Sequence, residues 1–270
     1  MSETSYAVIL AGGRGERFWP LSTASKPKQL LELVGGEPLL GQAVNRLEGL
    51  IPPGNIFIIT NLDLVDACRE AAPMVPDDQV IGEPVGRDTA PAVALGAALV
   101  QTRDPNAAFC VLTADHVIDD LDSFQNTLRQ GLDLAAEHHM LITIGIQPTG
   151  PSTGFGYIEA GNPVAERAGI SFTHARRFVE KPDFETATSY LAEGNFCWNS
   201  GMFIWTVKSL KEAFTQHCPE LAEFTDTLTD AATKGDLHDA MAKVYPEVTR
   251  ISIDYALMEK ADNIAMARGN

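Results

Sequence analysis

The chain has 270 residues, with 20 Lys and Arg against 36 Asp and Glu and a net charge of −16. At 45% hydrophobic and 21% charged residues it has the balance of a globular protein with ample core. So acidic a surface repels polyanions, which excludes nucleic acid and anionic membranes as partners, and no apolar run approaches a membrane span. The N-terminus MSETSYAVIL has no basic segment ahead of its apolar run and reads poorly as a signal peptide. Cys68, Cys110, Cys197 and Cys218 are scattered and form no CxxC pair, so they read as reduced thiols of a cytoplasmic protein.

Residues 6–11 (YAVILA) are a continuous apolar run, the mark of a strand buried on both faces. A helical spacing over 39–50 stops at Pro52-Pro53-Gly54, and NIFIIT (55–60) is a second strand with a helix over 62–72 behind it. Small residues over 89–102 predict a buried helix with Thr89 as its N-cap. AAFCVLTAD (107–115) is a third buried strand, 123–138 an amphipathic helix, and MLITIGI (140–146) closes a fourth β-α repeat. This alternation predicts an α/β fold, Rossmann-like, with a mostly parallel central sheet flanked by helices. Beyond residue 150 the segments 153–161, 171–182 and 196–207 are β-rich. Helical patterns recur at 183–193, 208–217, 220–233 and 252–261. With no low-complexity linker and no repeat, the second half reads as a substrate-side extension of one domain, carried on a mixed sheet.

Ligands of open α/β sheets bind beyond the carboxyl ends of strands, where strand order reverses. Two loops qualify, one after Leu10-Ala11 and one at Asp115. The first, LAGGRGERFWPLSTASKPKQ, carries glycines at 12, 13 and 15 and four cations, Arg14, Arg17, Lys26 and Lys28. Residues 1–30 hold those four cations against two acids, while the remainder holds 16 cations against 34 acids. The loop is thus a local anion site in a repelling protein: glycine N–H groups form a phosphate nest, and the cations grip a triphosphate. It is neither a dinucleotide fingerprint, since Phe18 stands where the last glycine belongs, nor a Walker A loop, since no Gly-Lys-Ser/Thr follows.

GGRGERFWPLS followed by PKQLL resembles the signature of the mannose-1-phosphate guanylyltransferases, within the sugar-1-phosphate nucleotidyltransferases. Further similar blocks follow in order: EPVGRDTAPA (83–92), TADHVI (113–118), TGFGYIE (153–159), FVEKP (178–182), WNSGMF (198–203) and SIDYALMEK (252–260). The resemblance implies a glycosyltransferase-A-like nucleotidyltransferase fold over 1–270, with a nucleotide half to about 150 and a sugar half beyond. It implies in-line attack of mannose 1-phosphate on the α-phosphorus of GTP, giving GDP-mannose and pyrophosphate, with Mg²⁺ as cofactor. No protein nucleophile is then needed, and no Ser/His/Asp or Cys/His constellation stands out.

On matching positions the resemblance implies that Arg17 and Lys28 hold the triphosphate and that Asp115 is both catalytic and the metal ligand. Gly12 and Gly13 would offer backbone donors, with Leu10 and Ala11 beneath the nucleotide, and Glu83, Arg87, Asp88, Thr89 and Ala90 would face guanine. Glu83 or Asp88 would accept from the guanine donors, and Arg87 would reach O6 or a phosphate. The family more often has Asn at the position of Asp88. Gly156, Glu180, Lys181, Asn199 and Gly201 match sugar-phosphate positions. His116 reads as structural, and Trp198, Met202, Phe203 and Trp205 as core packing. Asp254 and Glu259 read as supporting or surface groups without a ranking between them. Family members continue past this point with a second metal-binding aspartate and a small β-helical domain used in dimerisation. The chain stops before both, so it is expected to be either a truncated or a naturally short member. The competing readings are a nucleotidyltransferase for another base or sugar, and a non-catalytic nucleotide- or sugar-binding module.

Overall fold

The computed structural model describes residues 5–13, 20–23, 27–33 and 35–269. Nine strands form one sheet: β1 Ser5–Leu10, β2 Ile56–Asn61, β3 Val80–Glu83, β4 Ala108–Thr113, β5 Leu141–Ile146, β6 Tyr157–Arg167, β7 Ile170–Val179, β8 Phe196–Thr206 and β9 Ile264–Gly269. Their order across the sheet is β3-β2-β1-β4-β8-β5-β9-β7-β6. The β3-β2-β1-β4 segment is parallel throughout. From there the sheet turns mixed, because β8 runs antiparallel between β4 and β5, and β7 antiparallel beside β9.

Alternation along the buried strands divides the core between two faces. Tyr6 and Val8 join Phe109 and Val111 on one face, while Ala7 and Ile9 join Ala108, Cys110 and Leu112 on the other. The first face is covered by α3 Thr89–Arg103, α6 Val207–His217, α7 Pro219–Lys234 and α8 Leu237–Val244. The second is covered by α1 Leu39–Asn45, α2 Val65–Ala71 and α4 Leu121–His138, while α5 Phe184–Glu193 packs near β6 and β8. Helix α3 is buried from Ala90 to Val100 and succeeds there because its residues are small. A Cβ on Gly96 would stand 2.6 Å from Val8 Cγ1, so only glycine lets the helix lie this close to β1.

Several sequence expectations need correction. The N-cap of α3 is Asp88 rather than Thr89: the Asp88 carboxylate accepts the Thr89 N–H at 2.8 Å. The helix expected over 39–50 ends at Asn45 and continues as turns to Leu50. The strand ending near Asp115 is the fourth, because β3 is only four residues long, with two of the four partly exposed. Residues 252–261 form a five-residue π-type turn, Asp254–Met258, and not a regular helix. Neither α8 nor β9 was expected. Strand β8 inserts between β4 and β5 of the first half, and β9 joins β5 to β7 of the second, so the two halves form one continuous sheet. No described helix is long and apolar enough to cross a membrane. All four cysteines are free thiols.

Candidate active site

The chain passes from β1 outward to β3, then returns to place β4 on the other side of β1. A crevice therefore opens over the carboxyl ends of β1 and β4, where both candidate loops begin. At its floor the backbone is tied down by side chains. The Ala11 carbonyl accepts Gln29 Nε2 at 2.5 Å and Thr60 Oγ1 at 2.9 Å, and the Gly12 carbonyl accepts Asn61 Nδ2 at 2.9 Å. The Ala11 N–H is used on the Ile59 carbonyl at 2.7 Å. Those peptide planes are fixed before any ligand arrives, which is the preorganisation an anion site needs. Gln29, buried and unforeseen, anchors the short turn Lys28–Leu30 against the glycine loop.

That turn delivers Lys28 to Asp115, with Nζ and Oδ2 3.2 Å apart. Both groups remain partly open to the crevice, so the pair is an accessible charge couple and not a core ion pair. Next to it, His116 Nδ1 pairs with the Thr113 hydroxyl. Burial pushes the imidazole below its ordinary value, more than the Asp115 charge raises it, so the ring is neutral. His116 thus packs as a structural residue, and its carbonyl accepts Arg46 Nη2 at 2.5 Å. Arg17, with Arg14, Gly15 and Lys26, lies outside the described residues.

One flank of the crevice is an open cleft of about 460 Å³ lined by Asn61, Leu62, Asp63, Glu83, Pro84, Val85 and Gly86. Glu83 is only 6% exposed, and its Oε1 has no hydrogen-bond partner. Its Oε2 lies 3.3 Å from where a Cβ on Gly12 would stand, directly beside the loop. Burial pushes this carboxyl up to about 7; the neighbouring Tyr245 hydroxyl lowers it and the Asp88 charge raises it. A buried carboxyl with an unused oxygen, on a residue that lines a cleft, is a group whose hydrogen-bonding capacity the protein leaves unmet.

The rest of that segment is engaged by the protein itself. Arg87, expected to reach the base or a phosphate, donates to the carbonyls of Tyr245, at 3.0 Å, and Pro246. The Thr89 hydroxyl accepts the Ile253 N–H at 2.9 Å, and the Ala90 N–H donates to the Ile251 carbonyl at 3.1 Å. Asp88 holds a positive φ of 69° and is committed to capping α3. Arg87, Thr89 and Ala90 stitch the loop to the 245–253 segment, a contact distant in sequence and therefore invisible to motif reading.

The opposite flank gathers the other expected residues. Glu180 Oε2 lies 2.5 Å from where a Cβ on Gly156 would be, so the carboxylate rests on bare backbone that only glycine provides. Lys181 pairs with Glu180 and holds a positive φ of 45°. Asn199 Oδ1 accepts the Gly201 N–H at 3.0 Å and the Thr143 hydroxyl at 3.3 Å, and the Asn199 N–H donates to the Gly156 carbonyl at 2.8 Å. Gly201, at φ 71°, bends β8 to present Asn199. Asn199 Nδ2 donates to Asp254 Oδ1 at 2.9 Å, which brings into the site a residue that the sequence left unranked. Met202, Phe203 and Trp205 are core residues as expected. Trp198 is only half-buried and pairs with the 46% exposed Phe155, ring centroids 4.8 Å apart, at the rim of this flank.

The nucleotidyl transferase family model matches residues 6–244. The chain is 38% identical over 258 residues to mannose-1-phosphate guanylyltransferase of Escherichia coli, covering 94% of this chain and 54% of that protein. It is 39% identical over 269 residues to mannose-1-phosphate guanylyltransferase of Sinorhizobium fredii (strain NBRC 101917 / NGR234), covering 96% of this chain and 50% of that one. It therefore spans about half the length of these curated relatives. Among solved structures, one described as mannose-1-phosphate geranyltransferase from Thermus thermophilus superposes with a TM-score of 0.83 at 33% identity, covering 99% of this chain and 74% of that one. With a mixed α/β sheet, a glycine loop at its strand-order switch and a match across most of its length, this chain belongs to the nucleotidyl transferase family.

Proposed function

We propose that the chain transfers GMP from GTP to α-D-mannose 1-phosphate, releasing pyrophosphate and forming GDP-mannose. The observation that carries this reading is the placement of the Lys28–Asp115 pair at the end of the fixed glycine loop, with Glu83 on one flank and Glu180 and Asn199 on the other. In this reading the triphosphate lies along the loop, held by Gly12, Gly13, Lys28 and Arg17. Guanine enters the cleft beside Glu83, whose orphan Oε1 accepts from N1–H and N2–H₂. Mannose 1-phosphate sits over Gly156, Glu180, Asn199 and Gly201, with Lys181 toward its phosphate. Two anions are thereby aligned for in-line attack, and cations stabilise the charge that builds on the departing pyrophosphate.

Asp115 suits a hard divalent ion: it offers a half-open carboxylate at a phosphate site, and Mg²⁺ commonly takes one or two carboxylates plus substrate oxygens. When bound there, Mg²⁺ would neutralise phosphate charge. Among the described residues no cluster of three His, Cys, Asp or Glu offers an all-protein cage, which agrees with an ion shared with the substrate. The proposal also takes the chain as cytoplasmic and as able to form a homodimer.

Pyrophosphate release by the 270-residue chain, measured for GTP, ATP, UTP and dTTP against mannose 1-phosphate and glucose 1-phosphate, tests the reading. Preference for GTP with mannose 1-phosphate is expected. A preference for dTTP with glucose 1-phosphate would overturn it.

A further inference from the structure

Asn199 is held at both ends of its amide. Its Oδ1 is committed to the Gly201 N–H and the Thr143 hydroxyl, and its Nδ2 donates to Asp254 at 2.9 Å. An amide has two faces of similar shape, so what decides which end points where is the chemistry of its partners. The Gly201 N–H admits only an acceptor and the Asp254 carboxylate only a donor, so the two together fix the amide. It comes from a π-type turn 55 residues away in sequence, a backbone irregularity that costs regular helical hydrogen bonding and clusters at functional sites.

The groups facing Asp254 are Asn199 on β8 and Glu180 and Lys181 on the turn after β7; Tyr255, on the same turn as Asp254, acts on Lys181. Burial and then the Glu180 charge push the Asp254 carboxyl up to about 6. Two carboxylates with one lysine make an acceptor-rich wall, which suits a ligand that presents several hydroxyl donors.

We propose that Asp254 is a positioning residue for sugar recognition, orienting the Asn199 amide and, beside Glu180, setting the preference among hexose 1-phosphates. This rests on the reading of the Gly156–Asn199 flank as the sugar half of the site. The ionised carboxylate matters because charge-assisted hydrogen bonds are roughly twice as strong as neutral ones.

The sign of the stability effect separates this role from a merely structural one. An acid whose folded value lies above its ordinary 3.8 favours folding fully at low pH, and that contribution is lost as pH rises through about 6. At pH 7.5 the ionised Asp254 is therefore held at a cost in stability, as functional groups often are. D254N keeps the shape and an oxygen for Asn199 Nδ2 but removes the charge.

The experiment compares wild type, D254N and the exposed-site control E259Q at pH 7.5 by thermal melting, by KM for each substrate, and by calorimetric titration of mannose and glucose 1-phosphates. The expected result is a D254N melting point at or above wild type and an affinity for the favoured hexose 1-phosphate lowered by about ten-fold or more, with GTP KM unchanged. Discrimination between the two sugars should shrink. Wild-type affinity should weaken as pH falls through about 6, and D254N should lack that inflection; any slope shared by both proteins belongs to the substrate phosphate. A lowered melting point with both KM values shifted together, or unchanged sugar affinity, would overturn the proposal. If wild type turns over no GTP yet binds a hexose 1-phosphate, the guanylyl-transfer reading fails while the Asp254 role is still decided by the titrations. If it binds neither sugar, both fall.

Discussion

The catalytic roles proposed for Lys28 and Asp115 rest on the surroundings of the pair. Their 3.2 Å contact is half-exposed, and such pairs contribute only ~0–1 kcal/mol to stability. K28A and D115A should therefore melt close to wild type while turnover falls by about 100-fold or more, as when a preorganised charge stabiliser is removed. Near-native turnover in either variant, read by pyrophosphate release, would contradict the roles given to them. Glu83 makes a different demand. Burial holds it near 7, so its charge, and with it the guanine acceptor, is gained as pH rises through about 7. Wild-type KM for GTP should fall across that range. In E83Q, which replaces one acceptor with a donor, KM should be insensitive to it and about ten-fold or more higher. An unchanged GTP KM and pH profile in E83Q would remove Glu83 from the base site.

Among the elements, α3 shows how local chemistry can be legible and still be misassigned by one position. Thr89 is a good N-cap residue and opens the helical pattern, so the sequence favours it. Asp88 takes the role because its positive φ aims its carboxylate at the Thr89 N–H, while the Thr89 hydroxyl is used by Ile253. D88A should then cost about 1 kcal/mol, a drop of ~2–4 °C in Tm, while D88N keeps most of the cap. Equal melting of D88A and wild type would refute the cap. Strands β1, β2, β4 and β5 were readable because each is an apolar run buried on both faces. Strand β3 escaped because it is four residues long and partly exposed, and β9 because IAMARG is small, mixed and only six residues long. The Asp254–Met258 turn carries a helical spacing of apolar residues but closes as a π turn.

At the scale of the molecule, the overlooked β9 turns out to be structurally central. It pairs with β5 along six residues and with β7 on its other side, and Ala265, Met266 and Ala267 are fully buried. Deleting residues 263–270 would remove the strand between β5 and β7, leaving β5 paired only with β8 and β7 only with β6, each with one edge open. Circular dichroism and melting of that deletion should show loss of cooperative unfolding or aggregation through the exposed edges. A native-like melt would mean that the sheet closes without β9. The charge distribution acts at this scale too. A chain of net −16 can take anionic substrates only where cations and fixed amides gather, and Lys28 with the anchored glycine loop marks that place.

By itself the sequence determined the α/β alternation, the glycine loop that is proposed to bind anions and the list of polar residues that flank the crevice. It could do so because these signals are local: apolar runs of strand length, glycines in series, cations spaced within one loop. Only the tertiary structure decided how the list divides. Arg87, Thr89 and Ala90 bond to the 245–253 segment while Asp88 caps α3, Glu83 at the edge of the cleft keeps an oxygen without a hydrogen-bond partner, and Asp254 bonds to Asn199. Each of those outcomes depends on contacts between residues far apart in the chain, and no spacing rule reaches across such distances. The interleaving of the two halves, with β8 and β9 threaded among earlier strands, is what brings them together.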